Sequence, residues 1–186
     1  KFTREEIIKT ALDLTREEGI NALTARALGA KLGSSPKPIF TVFENMEEVQ
    51  SEVQRAAKTL YAEYIQIGLG QEAAFKGVGT QYILFAIKEP KLFQLLFMSE
   101  QPQKPSVEGI LPIIDESYGQ ILQSVQSGYG LGMKDAENLY RHLWIYTHGI
   151  AVLCATNMCS FTAEEISGMM TEVCRSLLKE IKSDKA

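Results

Sequence analysis

Three features of the sequence predict an all-α fold. Apolar residues recur at spacings of three and four through most of the 186 residues, and no stretch alternates with a period of two. Helix-starting pairs recur as well: Thr3 with Glu6, Asn45 with Glu48 and Thr162 with Glu165 each place a short polar side chain three residues ahead of a carboxylate. Glycine and proline separate the periodic segments, at Gly19, Gly33, Gly68, Gly70, Pro90 and Gly128 to Gly132. About nine helices are expected: three short ones, a long connecting one, and a larger helical body.

The first helix opens on Thr3 and Glu6, a capping box in which hydroxyl and carboxylate each satisfy a free backbone N–H. Ile7, Ile8, Ala11, Leu12 and Leu14 make its apolar face. Gly19 stops it, as a C′ glycine can take the left-handed conformation. Ile20 and Leu23 then pack beneath. Thr24 caps a second helix with Leu28 and Leu32 facing inward, while Ala25, Ala27 and Ala30 allow close approach. Gly33-Ser34-Ser35 is a turn. A third helix is expected from Ser35 as N-cap and Pro36 at the first helical position, with Pro38 also in the first turn, where no intrahelical N–H partner is lost. Ile39, Phe40 and Phe43 supply its packing.

A fourth helix, capped by Asn45 and Glu48, carries Val49, Val53, Ala56, Ala57, Leu60, Tyr64 and Ile67 and ends near Gly68 and Gly70. Its length is roughly 30 Å at 1.5 Å per residue. From Gln71 aromatics and Met accumulate. A helix runs to about Lys88, breaks at Glu89-Pro90, and is followed by a short helix Lys91–Met98. Prolines at 102, 105 and 112 make Gln101–Pro112 a loop. A helix from Val107 or Pro112 to Ser127, a glycine turn through Gly128, Gly130 and Gly132, and two helices, Lys134–Asn157 and Thr162–Ile181, complete the chain.

Composition narrows the function classes. With 19 basic and 23 acidic residues the formal net charge is -4, which argues against a protein coated in basic charge but not against a local basic face. No run of eighteen apolar residues lacks charge, so no membrane span is expected. The start, KFTREEIIKT, is charged and amphipathic, unlike a signal peptide. Cys154, Cys159 and Cys174 form no disulfide framework, which points to a reducing, cytoplasmic compartment. His148, Cys154 and Cys159, spaced by six and five, do not share a helix face, so no metal or other cofactor is expected. Gly128 to Gly132 lacks the strand and the Gly-Lys-Ser/Thr of a phosphate loop. No acid, base and nucleophile fall into a known pairing, so an enzyme is not expected.

Between Thr24 and Phe43 there is no Asp or Glu, while Arg26, Lys31 and Lys37 are basic. Two helices of about two turns around a glycine turn fit a helix-turn-helix, and an acid-free window in an acidic chain suits a polyanion. Residues 1–46 are therefore expected to form a DNA-binding domain, and 47–186 a ligand-binding and dimerisation domain.

The run TREEIIKTALDLTREEGINALTARALGAKLGSSPKPIFTVFENMEEV resembles the N-terminal domain of TetR-type transcriptional regulators. YILFAIKEPKLFQLLF and LWIYTHGIA are similar to a regulatory domain of that family with a Trp-x-x-x-His-Gly signature, here Trp144, His148 and Gly149. The resemblance implies a homodimer that binds double-stranded operator DNA and responds to a small effector. It implies that the Thr24 hydroxyl meets a phosphate, that Arg26 lies near a base, and that Pro36, Lys37 and Pro38 front the recognition helix. Phe40 stands where the family usually has Tyr, and Met46 where it often has Lys, which removes a hydrogen bond and a charge. Thr24, Arg26, Ser35, Pro36, Lys37, Pro38, Phe40 and Thr41 are the expected DNA-facing residues, Lys37 and Thr41 being the direct readers.

The aromatic residues of the second half are either plain core or the lining of an adaptable apolar pocket. Tyr82, Phe85, Phe93, Phe97, Tyr118, Trp144 and His148 are the candidates for that lining, with a small apolar or amphipathic effector. His148 either bonds a ligand or, as the simpler reading, is satisfied by a neighbouring hydroxyl or backbone group. Gly149 would let another helix approach closely. Cys154, Met158, Met169, Met170 and Leu177 place surplus apolar surface on the last two helices, the expected dimer surface. The leading expectation is a ligand-responsive repressor. The alternative is an all-α binding module whose head has weak or no specific DNA binding.

Overall fold

The computed structural model describes residues 2–100 and 104–183. Nine α-helices and no strand occur among them. They are α1 (Arg4–Glu18), α2 (Ala25–Lys31), α3 (Met46–Leu69), α4 (Ala74–Lys88), α5 (Pro90–Phe97), α6 (Ile110–Ile114), α7 (Tyr118–Tyr129), α8 (Met133–Ala155) and α9 (Ala163–Ser183). No helix among the described residues is long and apolar enough to cross a membrane. The chain divides into two compact units, Lys1–Tyr61 with Glu89–Glu100, and Ala62–Lys88 with Gln101–Ala186. The helix α3 runs through both. This division by compactness is separate from the division by role expected at residue 46.

In the first unit the expected caps form. Thr3 accepts from Glu6 N at 3.2 Å, and the Glu6 carboxylate accepts from Thr3 N at 2.8 Å. Gly19 has positive φ, +89°, but ψ is 165°, so it leaves the helix extended rather than left-handed. Thr24 caps α2 by accepting from Ala27 N at 3.2 Å. Asn45 accepts from Glu48 N at 2.8 Å, while the Glu48 carboxylate reaches Glu44 N instead of the cap residue. Ile7, Ala11, Leu14, Leu23, Leu28, Ile39, Phe43, Val49 and Val53 form one buried cluster, with Leu95 of α5 packed against it.

The expected third helix is not α-helical. After α2 the chain turns at Ser34 to Pro38 and makes a single 3-10 turn, Ile39–Thr41. Its bonds run from Ile39 N to Pro36 O, Thr41 N to Pro38 O and Val42 N to Ile39 O, all of the tight i to i+3 kind. Pro38 explains this: its ring disfavours the α conformation at Lys37, the second position of the expected helix. Ser35 is therefore not a helix cap.

The turn before it is well specified. Ser34 N bonds Gly29 O and Gly33 N bonds Ala30 O, both at 2.9 Å, the paired bonds of a Schellman ending. Gly33 supplies the required positive φ, +69°. Gly29 is needed for space, since a Cβ there would lie 3.0 Å from Pro36 N and 3.1 Å from Ser34 O.

In the second unit α4 packs chiefly against α8, with α7 against both and α9 against α8. The ends of α3 and α4 cross backbone to backbone: a Cβ on Gly77 would lie 2.4 Å from Gly68 O, and one on Gly68 would lie 2.7 Å from Gly77 C. Gln66 near the end of α3 donates to Ser117 Oγ at 3.2 Å and Gln120 Oε1 at 3.1 Å.

Two expected boundaries are corrected here. The single helix ending at Ser127 is two, α6 and α7, because Asp115 is extended and its Oδ1 takes the Ser117 N–H at 2.8 Å. That local Asx turn interrupts the ladder. The loop expected over Gln101–Pro112 is partly helical, since α6 takes in Pro112 in its first turn; Gln101, Pro102 and Gln103 lie outside the described residues. The last cap is as expected, with Thr162 N to Glu165 Oε2 at 2.8 Å and Glu165 N to Thr162 Oγ1 at 3.1 Å.

Candidate functional site

The candidate DNA face lies wholly in the first unit. Thr24, Arg26, Ser35, Lys37, Phe40 and Thr41 are exposed, and Pro36 and Pro38 are half-buried. Arg26 and Lys37 have no ion-pair partner among the described residues. Lys31, the third base in the window, is bound by the Glu17 carboxylate. The Thr41 hydroxyl donates to Pro38 O at 2.7 Å, so it faces a partner only as an acceptor. Phe40 is 45% exposed, a large apolar ring standing among these polar groups.

Arg4 braces this region from behind. It donates to Glu48 Oε1 at 2.9 Å and Glu52 Oε1 at 3.2 Å, and its guanidinium sits 4.3 Å from the centroid of Phe43. The neighbouring carboxylates, Glu48 first, raise the Arg4 pKa. Backbone and guanidinium N–H groups hold the Glu48 carboxyl below its ordinary value.

A second tie in this unit was missed in the sequence. Arg16 of α1 grips the carboxylate of Glu89 with both arms, Nε to Oε2 at 2.8 Å and Nη2 to Oε1. Glu89 is 8% exposed and is the residue just before Pro90, the first residue of α5. In the sequence Glu89 reads only as a helix break. Its partner lies 73 positions away, so no local signal identifies it.

The candidate ligand residues divide between the units. Phe93 and Phe97 belong to the first, where Phe97 meets Tyr61 edge-on at 5.0 Å and Phe93 at 5.1 Å. Tyr82, Phe85, Tyr118, Trp144 and His148 belong to the second. Phe85 is fully buried and meets Tyr64 edge-on at 5.3 Å. Tyr118 stacks on Tyr140 at 5.9 Å and donates to Glu137 at 3.0 Å.

Three of these residues form a compact group in which Tyr82 is buried and Trp144 and His148 are half-buried. Tyr82 of α4 and His148 of α8 share a hydrogen bond, Oη to Nδ1, of 2.9 Å. Trp144, one turn before His148, stacks on its ring at 5.0 Å and 17°. Burial lowers the His148 pKa, which keeps the imidazole neutral at neutral pH. Burial first, and the buried Asp115 second, push the Tyr82 hydroxyl well above its ordinary value. Tyr140 shifts upward for the same leading reasons. The Trp144 N–H acts weakly in the opposite sense on Tyr82, but its geometry falls short of a hydrogen bond. Asp115, only 6% exposed, was missed in the sequence, where an Asp-x-Ser step inside a long helical pattern was the one available sign.

The close helix approach expected at Gly149 is not made among the described residues, for a Cβ there would meet none of them within 4 Å. Along α9 only Ile166 and Ile181 are buried, and Met169, Met170, Val173, Cys174, Leu177 and Leu178 are half-buried. On α8 Ile145 is 48% exposed, and Met158 beyond its end is 76% exposed.

The family described as "Tetracyclin repressor-like, C-terminal domain" matches residues 75–177, more than half of the chain. The chain belongs to the tetracyclin repressor-like family. The match spans α4 to most of α9 and includes Trp144, His148 and Gly149. No curated protein matches the chain. Membership places this tetracyclin repressor-like chain in a family of transcriptional regulators with an all-helical fold.

Proposed function

We propose that this chain is a homodimeric DNA-binding regulator, a repressor whose operator affinity is altered by a small apolar or amphipathic effector. The stretch from Thr24 to Phe43, free of acidic residues and carrying exposed Arg26 and Lys37 without ion-pair partners among the described residues, on a chain of this family, carries the reading. Thr24, Ser35, Pro36, Pro38, Phe40 and Thr41 complete the docking face. The effector sits in the second-half helices, among Tyr82, Phe85, Tyr118, Trp144 and His148. Phe93 and Phe97, expected in the same lining, lie in the first unit. The half-buried apolar side of α9, the exposed Ile145 and the open side of Gly149 suit a second copy of the chain. Division by role at residue 46 and a cytoplasmic setting belong to the same reading.

The effector acts only through its differential affinity for two arrangements of the chain. Selection of bound duplexes from a random library tests the first half. An enriched sequence whose affinity falls with salt is expected, and Arg26→Ala and Lys37→Ala should each reduce the salt slope by about one. Unchanged slopes would misplace the docking face, and a monomer in sedimentation at micromolar concentration would remove the dimer. The exposed Phe40 and the single 3-10 turn favour a second reading, a ligand-binding module without specific DNA binding. Absence of any enriched duplex establishes that one.

A further inference from the structure

The indole N–H of Trp144 is shielded from solvent and has no hydrogen-bond partner among the described residues. Buried donors in folded proteins are almost always bonded, so an orphan requires an explanation. The N–H lies close enough to the Tyr82 hydroxyl to influence its acidity, but without the geometry of a hydrogen bond. The indole lies flat against His148, which is itself held by Tyr82 at 2.9 Å, so its ring is positioned by groups on two helices. A pre-oriented donor within aromatic surroundings is how an apolar site fixes the orientation of a ligand.

We propose that Trp144 Nε1–H is the polar anchor of the effector, and that the effector is an uncharged amphipathic molecule presenting an acceptor oxygen, a carbonyl, ether or hydroxyl. The proposal rests on the ligand-binding part of the function above and deepens it. The acceptor requirement follows from the chemistry of indole, which donates and never accepts. The absence of charge follows from the neighbours. His148 is neutral at neutral pH, so it supplies no cation for a carboxylate. The field of buried Asp115 already opposes negative charge at Tyr82. The Tyr82–His148 pair adapts to either sense of a second hydrogen bond, because the proton can sit on either partner.

Trp144 is the single tryptophan, so the 15N-labelled protein gives one indole N–H signal. In the free protein that proton is expected upfield, in the non-bonded range. The probes are alkyl phenyl ketones of increasing size, each paired with the isostere in which methylene replaces the carbonyl oxygen, beginning with acetophenone and α-methylstyrene, with benzoate as the anion. The expected result is a downfield indole shift on ketone binding and about tenfold tighter binding than the isostere. Benzoate should be weaker than acetophenone, and Trp144→Phe should abolish the ketone preference.

An indole proton already hydrogen-bonded in the free protein, to a water or to the chain, would overturn the proposal. Equal binding of ketone and isostere with an unmoved indole signal would overturn it too, while leaving effector binding in place. If no probe of either kind binds, the proposal fails together with the ligand-binding reading. The wild-type signal decides these outcomes even where Trp144→Phe does not fold.

Discussion

Removing Arg16 should destabilise the first unit far more than its exposure suggests. The Arg16 side chain is 42% exposed, and an ordinary surface pair at that exposure contributes roughly 0–1 kcal/mol. Its partner differs: the Glu89 side chain is 9% exposed and takes both arms of the guanidinium. Arg16→Ala leaves that carboxylate in a site built for a charge pair. Breaking a fully buried pair costs about 3–5 kcal/mol, and water reaching through the space left by Arg16 reduces this to roughly 2 kcal/mol.

Glu89→Gln keeps the shape and removes the charge, and Arg16 can then turn to Asp13, 3.9 Å away. That change should cost about 1 kcal/mol. In the double variant the stranded charge is gone, so its cost should fall about 1–2 kcal/mol short of the sum. Urea unfolding followed by far-UV circular dichroism measures all four proteins. Additive losses, to within about 0.5 kcal/mol, would show that the two groups do not act as a pair and would refute the reasoning.

Gly77→Ala should lower stability by about 1–3 kcal/mol although alanine favours helices by about 1 kcal/mol, because its Cβ meets the backbone oxygen of Gly68 at 2.4 Å and backbone cannot rotate away. Gly128→Ala, within α7 and with nothing within 4 Å of its Cβ, should instead stabilise by about 0.5–1 kcal/mol in the same urea assay. His148 gives a pH dependence. Its folded pKa is below the ordinary value of 6.5, so between the two values the unfolded chain binds more protons and stability rises with pH. The contribution is complete above about pH 6.5 and is lost as pH falls through the lower folded value. His148→Gln should flatten the thermal midpoint across that window relative to the wild type, and parallel profiles would contradict the assignment. Thr24→Ala removes the 3.2 Å cap bond to Ala27 N and should cost α2 about 1 kcal/mol, read as faster amide exchange in Ala25–Lys31.

What was legible in the sequence is what local chemistry decides. The Thr3 and Thr162 boxes, the Thr24 cap and the Gly33 ending each involve residues within five positions of one another, and each forms. The third segment was also a local matter, but two proline rules pointed in opposite directions. A proline is welcome in a first helical turn, yet it restrains the residue before it, and at Lys37 the restraint won. Long-range pairings left no trace. Composition grouped Phe93 and Phe97 with the later aromatics, whereas Leu95 and Glu89 hold α5 to the first unit through partners on distant elements. The Tyr82–His148 bond joins positions 66 apart, and only the simpler reading of His148, a neighbouring hydroxyl, anticipated its kind.

The chain passes between the two compact units three times, at Tyr61–Ala62, Lys88–Glu89 and Glu100–Gln101, and at the second of these no linker intervenes. The helix that ends at the second crossing, α4, carries Tyr82 and Phe85 of the proposed effector residues. The helix that begins at the next residue but one, α5, is held at its cap by Arg16 of α1, in the unit that carries the proposed DNA face. Glu89, with φ -127° and ψ 54°, is the single residue between α4 and α5, so the chain passes directly from one helix into the other. Under the proposed function this makes the Arg16–Glu89 pair a coupling element rather than a contact with either ligand. Its loss should then leave effector affinity in the DNA-free protein unchanged while shrinking the factor by which effector alters operator affinity. Linkage requires the same shrinkage when operator DNA is the variable and effector affinity is measured. Unequal changes in the two directions would mean that the variant altered a binding site and not the coupling.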